Sequence, residues 1–271
     1  SCYETTGGPV QYSGGYGNSM SPGLMRRLLL SYLAAGNINA SFWVWNPRPG
    51  GWEAGEYGLT SLSGAITPWA LEAGRIIRIA REHAGELWES GYPPELGILS
   101  SWDTDAILEM EPPRHELAEG VGRLGTGTRH QASRARIGLS RACINHRISY
   151  EYLSDREALD GLLDRYPIIW APHLRAVSDA LIQALKTYVE GGGILIADVQ
   201  FGFLDEHGKL RRTGPGSVHE QLFGAWLENI HDARTGGPSL AGQPVEGFFG
   251  DLAVSKAEIR ESFDQGAPSV T

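Results

Sequence analysis

The sequence predicts an α/β protein made of two successive series of parallel β/α units. In the first ninety residues, apolar strand-like runs alternate with amphipathic helical patterns, which is the order of a parallel sheet with helices on its faces. After the turn-forming segment GYPPE at 91–95, a second series of four apolar runs begins. This break predicts two domains, one over residues 1–90 and one over residues 91–271.

Two strands and two helices are predicted in the first domain. The opening run, CYETT, carries a carboxylate and hydroxyl groups into a glycine pair. Leucines recur at helical spacing from Pro22 until Gly36, and proline at the first position favours a helix start. The run INASFWVW at 38–45 is rich in aromatic and β-branched residues, as in a buried strand. A second helix is expected over 68–82.

The second domain is predicted to hold an open parallel sheet. A helix with one apolar stripe separates its last two strand-like runs and stops at three glycines. Strands that alternate with helices in this way suggest a doubly wound sheet that resembles flavodoxin. The charged, glycine-rich stretch 111–136 is expected to be a surface excursion, followed by a helix near 137–145. The four runs lie at 96–103, 147–154, 167–172 and 193–199.

The composition limits the binding partners and the cellular location that we expect for this protein. The net charge of −9 repels phosphate backbones and anionic membranes, so neither nucleic acid nor a membrane is an expected partner. No apolar run approaches the roughly 20 residues of a membrane span, and no secretory signal is seen, so a soluble, cytoplasmic protein is expected. Cys2 and Cys143 lack metal-ligand spacing, so no disulfide framework, metal or other cofactor is expected. The missing initiator methionine indicates processing or a fragment.

Glu4 is the first candidate for chemistry. It stands at the carboxyl end of a predicted parallel strand, where (β/α)8 enzymes place their catalytic groups. Taken alone, the residue also fits a solvated or helix-capping glutamate near a chain terminus.

Three tryptophans and two glutamates form a second candidate cluster near the end of the next strand. Aromatic rings beside carboxylates suit a sugar, since the ring packs on its C–H face and the carboxylates accept hydrogen bonds from its hydroxyls. Neighbouring side chains of a strand alternate between faces, so Trp43 and Trp45 cannot both face a barrel lumen. Trp45 is last before the loop and is the preferred sugar contact, whereas Trp43 is expected to pack against the outer helices. The cluster consists of Trp43, Trp45, Trp52, Glu53 and Glu56.

Two long segments carry a resemblance to a known family. The segment from ETTGGPVQYSG through SFWVWNPRPGGWEAGEYGLTSLSG resembles the end of the catalytic barrel in glycoside hydrolase family 42, the β-galactosidases. The segment RYPIIWAPHLRAVSDALIQALKTYVEGGGILIADVQFGFLDEHGKL is similar to the trimerisation domain of that family, a flavodoxin-like module related in fold to class I glutamine amidotransferases. The resemblance therefore implies the last two β/α units of a (β/α)8 barrel, followed by an open parallel sheet that is truncated at its carboxyl end.

The resemblance also implies roles for individual residues. Glu4 matches the nucleophilic glutamate at the end of barrel strand seven. Trp45 matches the tryptophan that ends strand eight and packs under the galactosyl ring. Glu53 and Glu56 lie where the family has a glutamate that binds sugar hydroxyls, with Glu53 preferred. The family's histidine downstream of that glutamate has no counterpart here, and the cysteine cluster of its zinc-containing members is absent.

The activity implied is hydrolysis of terminal non-reducing β-D-galactosides with retention, by a protein that is a homotrimer at full length. A retaining mechanism needs two carboxyl groups, a nucleophile and a general acid that later acts as base. In the family the acid/base follows strand four, which would lie upstream of Ser1. The 271 residues alone are therefore expected to be inactive.

Other functions stay open at this stage. The chain could be a non-catalytic oligomerisation module, or part of a related retaining glycosidase such as an arabinopyranosidase. A small-molecule-binding flavodoxin-like protein is disfavoured, because no phosphate-cradling loop follows its first strand. In that domain, Cys143 is interpreted as a core residue and the glycines of VEGGGIL as a helix cap. Asp103 and Asp105 are expected to cap the helix after the first strand.

Overall fold

The computed structural model divides into two compact units, unit 1 over residues 1–92 and unit 2 over residues 93–271. Most of the predicted surface excursion, residues 111–130, lies outside the described residues. None of the described helices is long and apolar enough to cross a membrane. The structure describes residues 2–11, 18–37, 39–90, 93–110, 131–232, 238–240, 242–244, 248–263 and 268–270.

Unit 1 alternates strands and helices as predicted. Its two strands pair in parallel. Both long helices start with a hydroxyl cap and a proline: Ser21 accepts a hydrogen bond from Leu24 N, and Thr67 accepts one from Ala70 N. The second strand is shorter than the predicted run over 38–45. The elements are β1 (Cys2–Thr6), α1 (Pro22–Ala34), β2 (Ala40–Trp43), α2 (Pro68–Glu82) and α3 (Ala84–Glu89).

The core of unit 1 lies between its two long helices and one face of β2. Met25 is fully buried and packs in a cluster that also includes Leu59 and Ile76. Glu72 of α2 joins the helices from outside, because it accepts hydrogen bonds from Arg26 and Arg75. These two guanidinium groups lower the pKa of Glu72 to about 2.

Unit 2 is built on a four-stranded parallel sheet with the strand order β4-β3-β5-β6. This is the order of a flavodoxin-like doubly wound sheet, and it confirms the predicted α/β class. All four predicted runs form strands: β3 (Leu96–Ser100), β4 (Tyr150–Ser154), β5 (Ile168–Ala171) and β6 (Ile194–Ala197). The helices beside the sheet are α4 (Trp102–Met110), α5 (Gln131–His146), α6 (Asp155–Leu159) and α7 (Asp179–Glu190), with a short 3-10 turn over Leu162–Arg165.

The part of unit 2 after the parallel sheet is antiparallel, a change that the sequence did not predict. After the short helix α8 (Val218–Phe223), strand β7 (Ala225–Asp232) pairs with β10 (Phe248–Val254). Gly250 of this ribbon packs so closely on Leu227 and Val199 that an added Cβ would collide with both side chains. Two shorter hairpins complete the described chain: β8 (Ser239–Leu240) with β9 (Gln243–Pro244), and β11 (Glu261–Ser262) with β12 (Pro268–Val270).

Candidate active site

Glu4 lies in β1 on the side of the strand that faces away from α1. Thr5 is buried and shares a hydrogen bond of 2.7 Å with the hydroxyl of Tyr32 in α1. The thiol of Cys2 also contacts that hydroxyl, because the strand register shifts between Cys2 and Thr5. Tyr3 and Glu4 between them are exposed. The carboxylate is therefore presented from the middle of β1, on the face opposite α1.

Strand β2 presents an aromatic ring on the same face. Its residues alternate: Ala40 and Phe42 pack in the core with the helices, whereas Ser41 and Trp43 point to the other side and are exposed. Thr6 of β1 is the register partner of Trp43, so Glu4 lies two positions earlier on the neighbouring strand. Thr5 and its register partner Phe42 both face the core, so their exposed neighbours Glu4 and Trp43 both point to the other face.

Trp43 is part of a cluster with Glu53 and Arg48. Its indole Nε1 donates a hydrogen bond of 3.0 Å to Glu53 Oε2. Arg48 Nη1 lies 3.4 Å from the same oxygen, and the guanidinium stands 6.0 Å from the centre of the Trp43 ring. The Glu53 side chain keeps 30% of its surface exposed, so it is partly accessible to a ligand. An anchored acceptor beside an aromatic face is the arrangement that a sugar hydroxyl requires.

The expectation that Trp43 packs against the outer helices is wrong. The ring is absent from the helical core and is held by Glu53 instead. The reason is the alternation of β2: once Phe42 enters the core, its neighbour Trp43 must face the opposite side. The peptide bond between Trp43 and Val44 is cis.

Trp45, the preferred tryptophan of the sequence analysis, lies elsewhere. It lines an open groove of about 720 Å³ together with Phe42, Ile66 and Leu71, on the side of α2. Phe42 faces the helices, so this groove is on the opposite side of β2 from Trp43. The structure thus brings Glu4 and Trp43 to one face and does not bring Trp45 there.

The two remaining predicted residues differ sharply in exposure. Trp52 is 79% exposed at the tip of the loop that also holds Glu53. Glu56 is 1% exposed, and its Oε1 accepts a hydrogen bond of 2.6 Å from the backbone N–H of Gln11. Such burial leaves no surface for a ligand, so the prediction that Glu56 binds sugar hydroxyls does not fit its position.

Unit 2 contains no comparable cluster among its described residues. Cys143 is buried in the core, which raises the pKa of its thiol, as expected of a structural cysteine. Asp103 and Asp105 both lie within α4 and do not cap it, contrary to expectation. Asp155, the residue directly after β4, binds the start of α4 instead, since it accepts hydrogen bonds from Ser101 Oγ and Trp102 N. Gly191 caps α7, which confirms the interpretation of the glycine run.

Metal-binding geometry is absent from the described ranges, where no group of three or more histidine, cysteine, aspartate or glutamate side chains could hold an ion. Sequence reasoning missed Arg48 and Asp155. Arg48 lies five residues before Glu53, and only the closed loop shows that both reach Trp43. Asp155 lies 53 residues from the helix start that it binds, and no local pattern marks such a pair.

Comparison with known proteins finds similarity to glycosidases. Residues 155–271 match the family model of the β-galactosidase trimerisation domain. The β-galactosidase LacZ of Heyndrickxia coagulans is 24% identical over 264 residues, which cover 93% of this chain and 37% of that protein. The β-galactosidase BglY of Alicyclobacillus acidocaldarius is 24% identical over 218 residues, which cover 77% of this chain and 28% of that protein.

A solved structure extends the likeness to the whole fold. A catalytic mutant of a GH42 β-galactosidase from G. stearothermophilus superposes with a TM-score of 0.80 at 17% identity, covering 98% of this chain and 38% of that one. The chain is thus similar to β-galactosidases in sequence and in fold. Its resemblance to glycoside hydrolase family 42 is confirmed, and it spans less than two fifths of the length of the curated relatives that it matches.

Proposed function

We propose that the chain is the carboxyl-terminal part of a retaining β-galactosidase that hydrolyses terminal non-reducing β-D-galactosides. One observation carries the proposal: Glu4, two residues before the carboxyl end of β1, lies on the face opposite α1, to which Trp43 and its partner Glu53 also belong. In a (β/α)8 enzyme this is the position of catalytic groups. The confirmed resemblance to glycoside hydrolase family 42 supports the same reading.

In this proposal Glu4 is the nucleophile. Its carboxylate attacks the anomeric carbon and forms a glycosyl-enzyme ester while the glycosidic oxygen departs with a proton from a general acid. Water then attacks the ester, and the same acid, now a base, removes the proton from that water. The second carboxyl group must stand about 5 to 5.5 Å from the nucleophile. Glu53 is already bonded to Trp43 and Arg48, so we assign the acid/base to a residue outside 1–271.

Trp43 and Glu53 are proposed to bind the galactosyl ring. The exposed ring face of Trp43 offers an apolar floor for the C–H side of the sugar, and the free oxygen of Glu53 accepts from a hydroxyl. Trp52, at the tip of the same loop, is proposed to contact the sugar or its aglycone from the side. Trp45 is proposed to fill the groove beside α2 rather than the sugar site.

Assembly into a homotrimer at full length is proposed for unit 2. The support is the match of residues 155–271 to the β-galactosidase trimerisation domain. Size-exclusion chromatography with light scattering of the full-length polypeptide tests it, and a monomer at micromolar concentration would contradict it.

A panel of nitrophenyl glycosides tests the activity. The full-length polypeptide and the chain 1–271 are assayed in parallel with β-D-galactoside, α-L-arabinopyranoside and β-D-glucoside. We expect the β-D-galactoside to be the best substrate of the full-length protein, and no turnover by the chain alone. Preference for the arabinopyranoside would assign the related specificity. A full-length protein inactive on all three but trimeric would favour the non-catalytic module.

A further inference from the structure

Two loops of unit 1 close on each other directly after the strand that carries Glu4. The first, residues 7–11, follows β1; the second, residues 56–60, follows the Glu53 loop. We call this pair the clasp. Its backbones are joined by a hydrogen bond of 2.9 Å from Tyr57 N to Pro9 O. The first loop is also tied to β2 itself, since Gly7 N donates a hydrogen bond of 2.8 Å to Trp43 O. The clasp therefore links the segment after Glu4 to the strand and loop of the proposed sugar site.

Close backbone approach makes the clasp specific to glycine in its first loop. A Cβ added at Gly7 would stand 2.6 Å from Tyr57 O, and one at Gly8 would collide with Gly58 O. Tyr57 itself adopts a φ of 62°, a left-handed conformation that a residue with a side chain seldom takes. Backbones packed this tightly hold their partners in one relative position.

Glu56 supplies the polar bond at the centre of the clasp. Its carboxyl group is buried, and its Oε1 accepts a short hydrogen bond of 2.6 Å from the backbone N–H of Gln11. The Glu56 backbone N–H also bonds to Glu53 O at 3.2 Å, so Glu53 and Glu56 share one turn. One oxygen of Glu56 thus binds the loop after Glu4, while its backbone is bonded to the residue that holds Trp43.

We propose that Glu56 is a positioning residue that fixes Glu4 relative to Trp43 and Glu53 and does not touch the substrate. Loss of a buried acceptor would release the loop at 7–11 and let the end of β1 shift. A shift of about 1 Å at a reacting group lowers turnover by about 100-fold. The catalytic part of this inference rests on the proposed function, whereas the clasp itself can be tested without it.

Three variants of the full-length polypeptide test the inference. Glu56→Leu keeps the volume and removes the acceptor, Glu56→Gln keeps an oxygen for Gln11, and Glu53→Gln changes the neighbouring acid that has no bond to Gln11. Amide hydrogen exchange over residues 7–11, read by mass spectrometry, reports the clasp. We expect exchange at least about tenfold faster in Glu56→Leu, because the buried hydrogen bond to the Gln11 N–H is lost. Exchange should stay within about threefold of the parent in Glu56→Gln and Glu53→Gln.

Kinetics with nitrophenyl β-galactoside separate positioning from binding. Glu56→Leu should lower kcat at least about tenfold with little change in KM, and Glu56→Gln should recover most of it. Glu53→Gln should act mainly through KM. If Glu56→Leu does not fold, Glu56→Asp replaces it, since its shorter side chain cannot reach Gln11.

Two results would overturn the positioning role of Glu56. The first is unchanged hydrogen exchange over residues 7–11 in Glu56→Leu, which lacks the acceptor. The second is an effect of Glu56→Gln on KM alone, as expected for Glu53→Gln. An inactive parent with faster exchange in Glu56→Leu would refute the proposed function, and with it the catalytic role of Glu56, while supporting the clasp.

Discussion

Unit 1 and unit 2 bury their apolar side chains to very different extents. Among the described residues, the main core cluster of unit 2 has fourteen buried members, whereas that of unit 1 has six. Unit 2 also has a four-stranded parallel sheet and unit 1 only a two-stranded one. A two-stranded sheet is marginal without further packing. Several large apolar residues of unit 1 are correspondingly exposed, among them Trp45, Leu62, Leu71 and Trp88.

This difference in burial predicts that unit 2 is stabilised mainly by its own core. The core of unit 2 closes around α7, with Leu181 and Leu185 almost inaccessible to solvent. Unit 1 presents an apolar groove and, opposite α1, the face with the exposed Glu4 instead. We propose that the remainder of the full-length polypeptide covers the groove and completes the site, while unit 2 folds on its own core.

A pair of leucine truncations measures this difference. In the chain 1–271, Leu185→Ala should lower the free energy of unfolding of unit 2 by about 2 to 5 kcal/mol, since it leaves a cavity in a closed core. Leu71→Ala, on the exposed side of α2, should change stability by about 0.5 kcal/mol or less. Urea unfolding followed by circular dichroism gives both values, and equal losses would contradict the comparison. A larger cost of Leu71→Ala in the full-length protein would sharpen it, because the groove would then be covered.

Trp43 and Trp45, at and just after the end of β2, should differ in their importance for catalysis. In the full-length enzyme, Trp43→Ala should lower kcat/KM for nitrophenyl β-galactoside by about 10- to 100-fold, because a sugar-facing ring is lost. Trp45→Ala should change it by about threefold or less, since Trp45 lies on the opposite side of β2. Steady-state kinetics measure both variants, with Trp43→Phe as the control that keeps an aromatic face. The reverse order of effects would restore Trp45 as the sugar contact.

The smallest expected effect is a pH dependence in the core of unit 2. Burial, aided by the hydrogen bond to Glu151, raises the pKa of Tyr166 to about 12. The folded state thus favours the neutral phenol, and this contribution to stability is complete below the ordinary tyrosine pKa of about 10. It is lost as the pH rises from about 10 to 12. The fall in unfolding free energy over this window should be smaller in Tyr166→Phe, and an identical slope would argue against the shift.

Local pattern was sufficient for the helices and for the parallel strands. Ser21-Pro22 predicts the start of α1, because a cap and a proline act within one turn, and the helix expected over 68–82 is α2. The strand of unit 2 that starts at Ile168 was equally visible, since a buried parallel strand is a continuous apolar run.

Contacts between residues far apart in the chain could not be predicted from local sequence pattern. Whether Trp43 or Trp45 faces the site depends on which neighbour enters the helical core, and Phe42 decides this only once α1 and α2 have packed. The burial of Glu56 depends on Gln11, 45 residues away. Glu4 could be proposed from sequence because the segment around it resembles glycoside hydrolase family 42, and its role as the nucleophile stays a prediction.

Azide rescue tests that central claim most directly. Glu4→Ala in the full-length polypeptide should lose nearly all turnover of dinitrophenyl β-galactoside, since no ester can form. Azide fits the space left by the carboxylate, forms a C–N bond at the anomeric carbon and displaces the phenolate. We predict restored release of dinitrophenol with α-galactosyl azide as the product, because a single displacement inverts the centre. Absence of rescue, or a β-galactosyl azide product, would contradict Glu4 as the nucleophile.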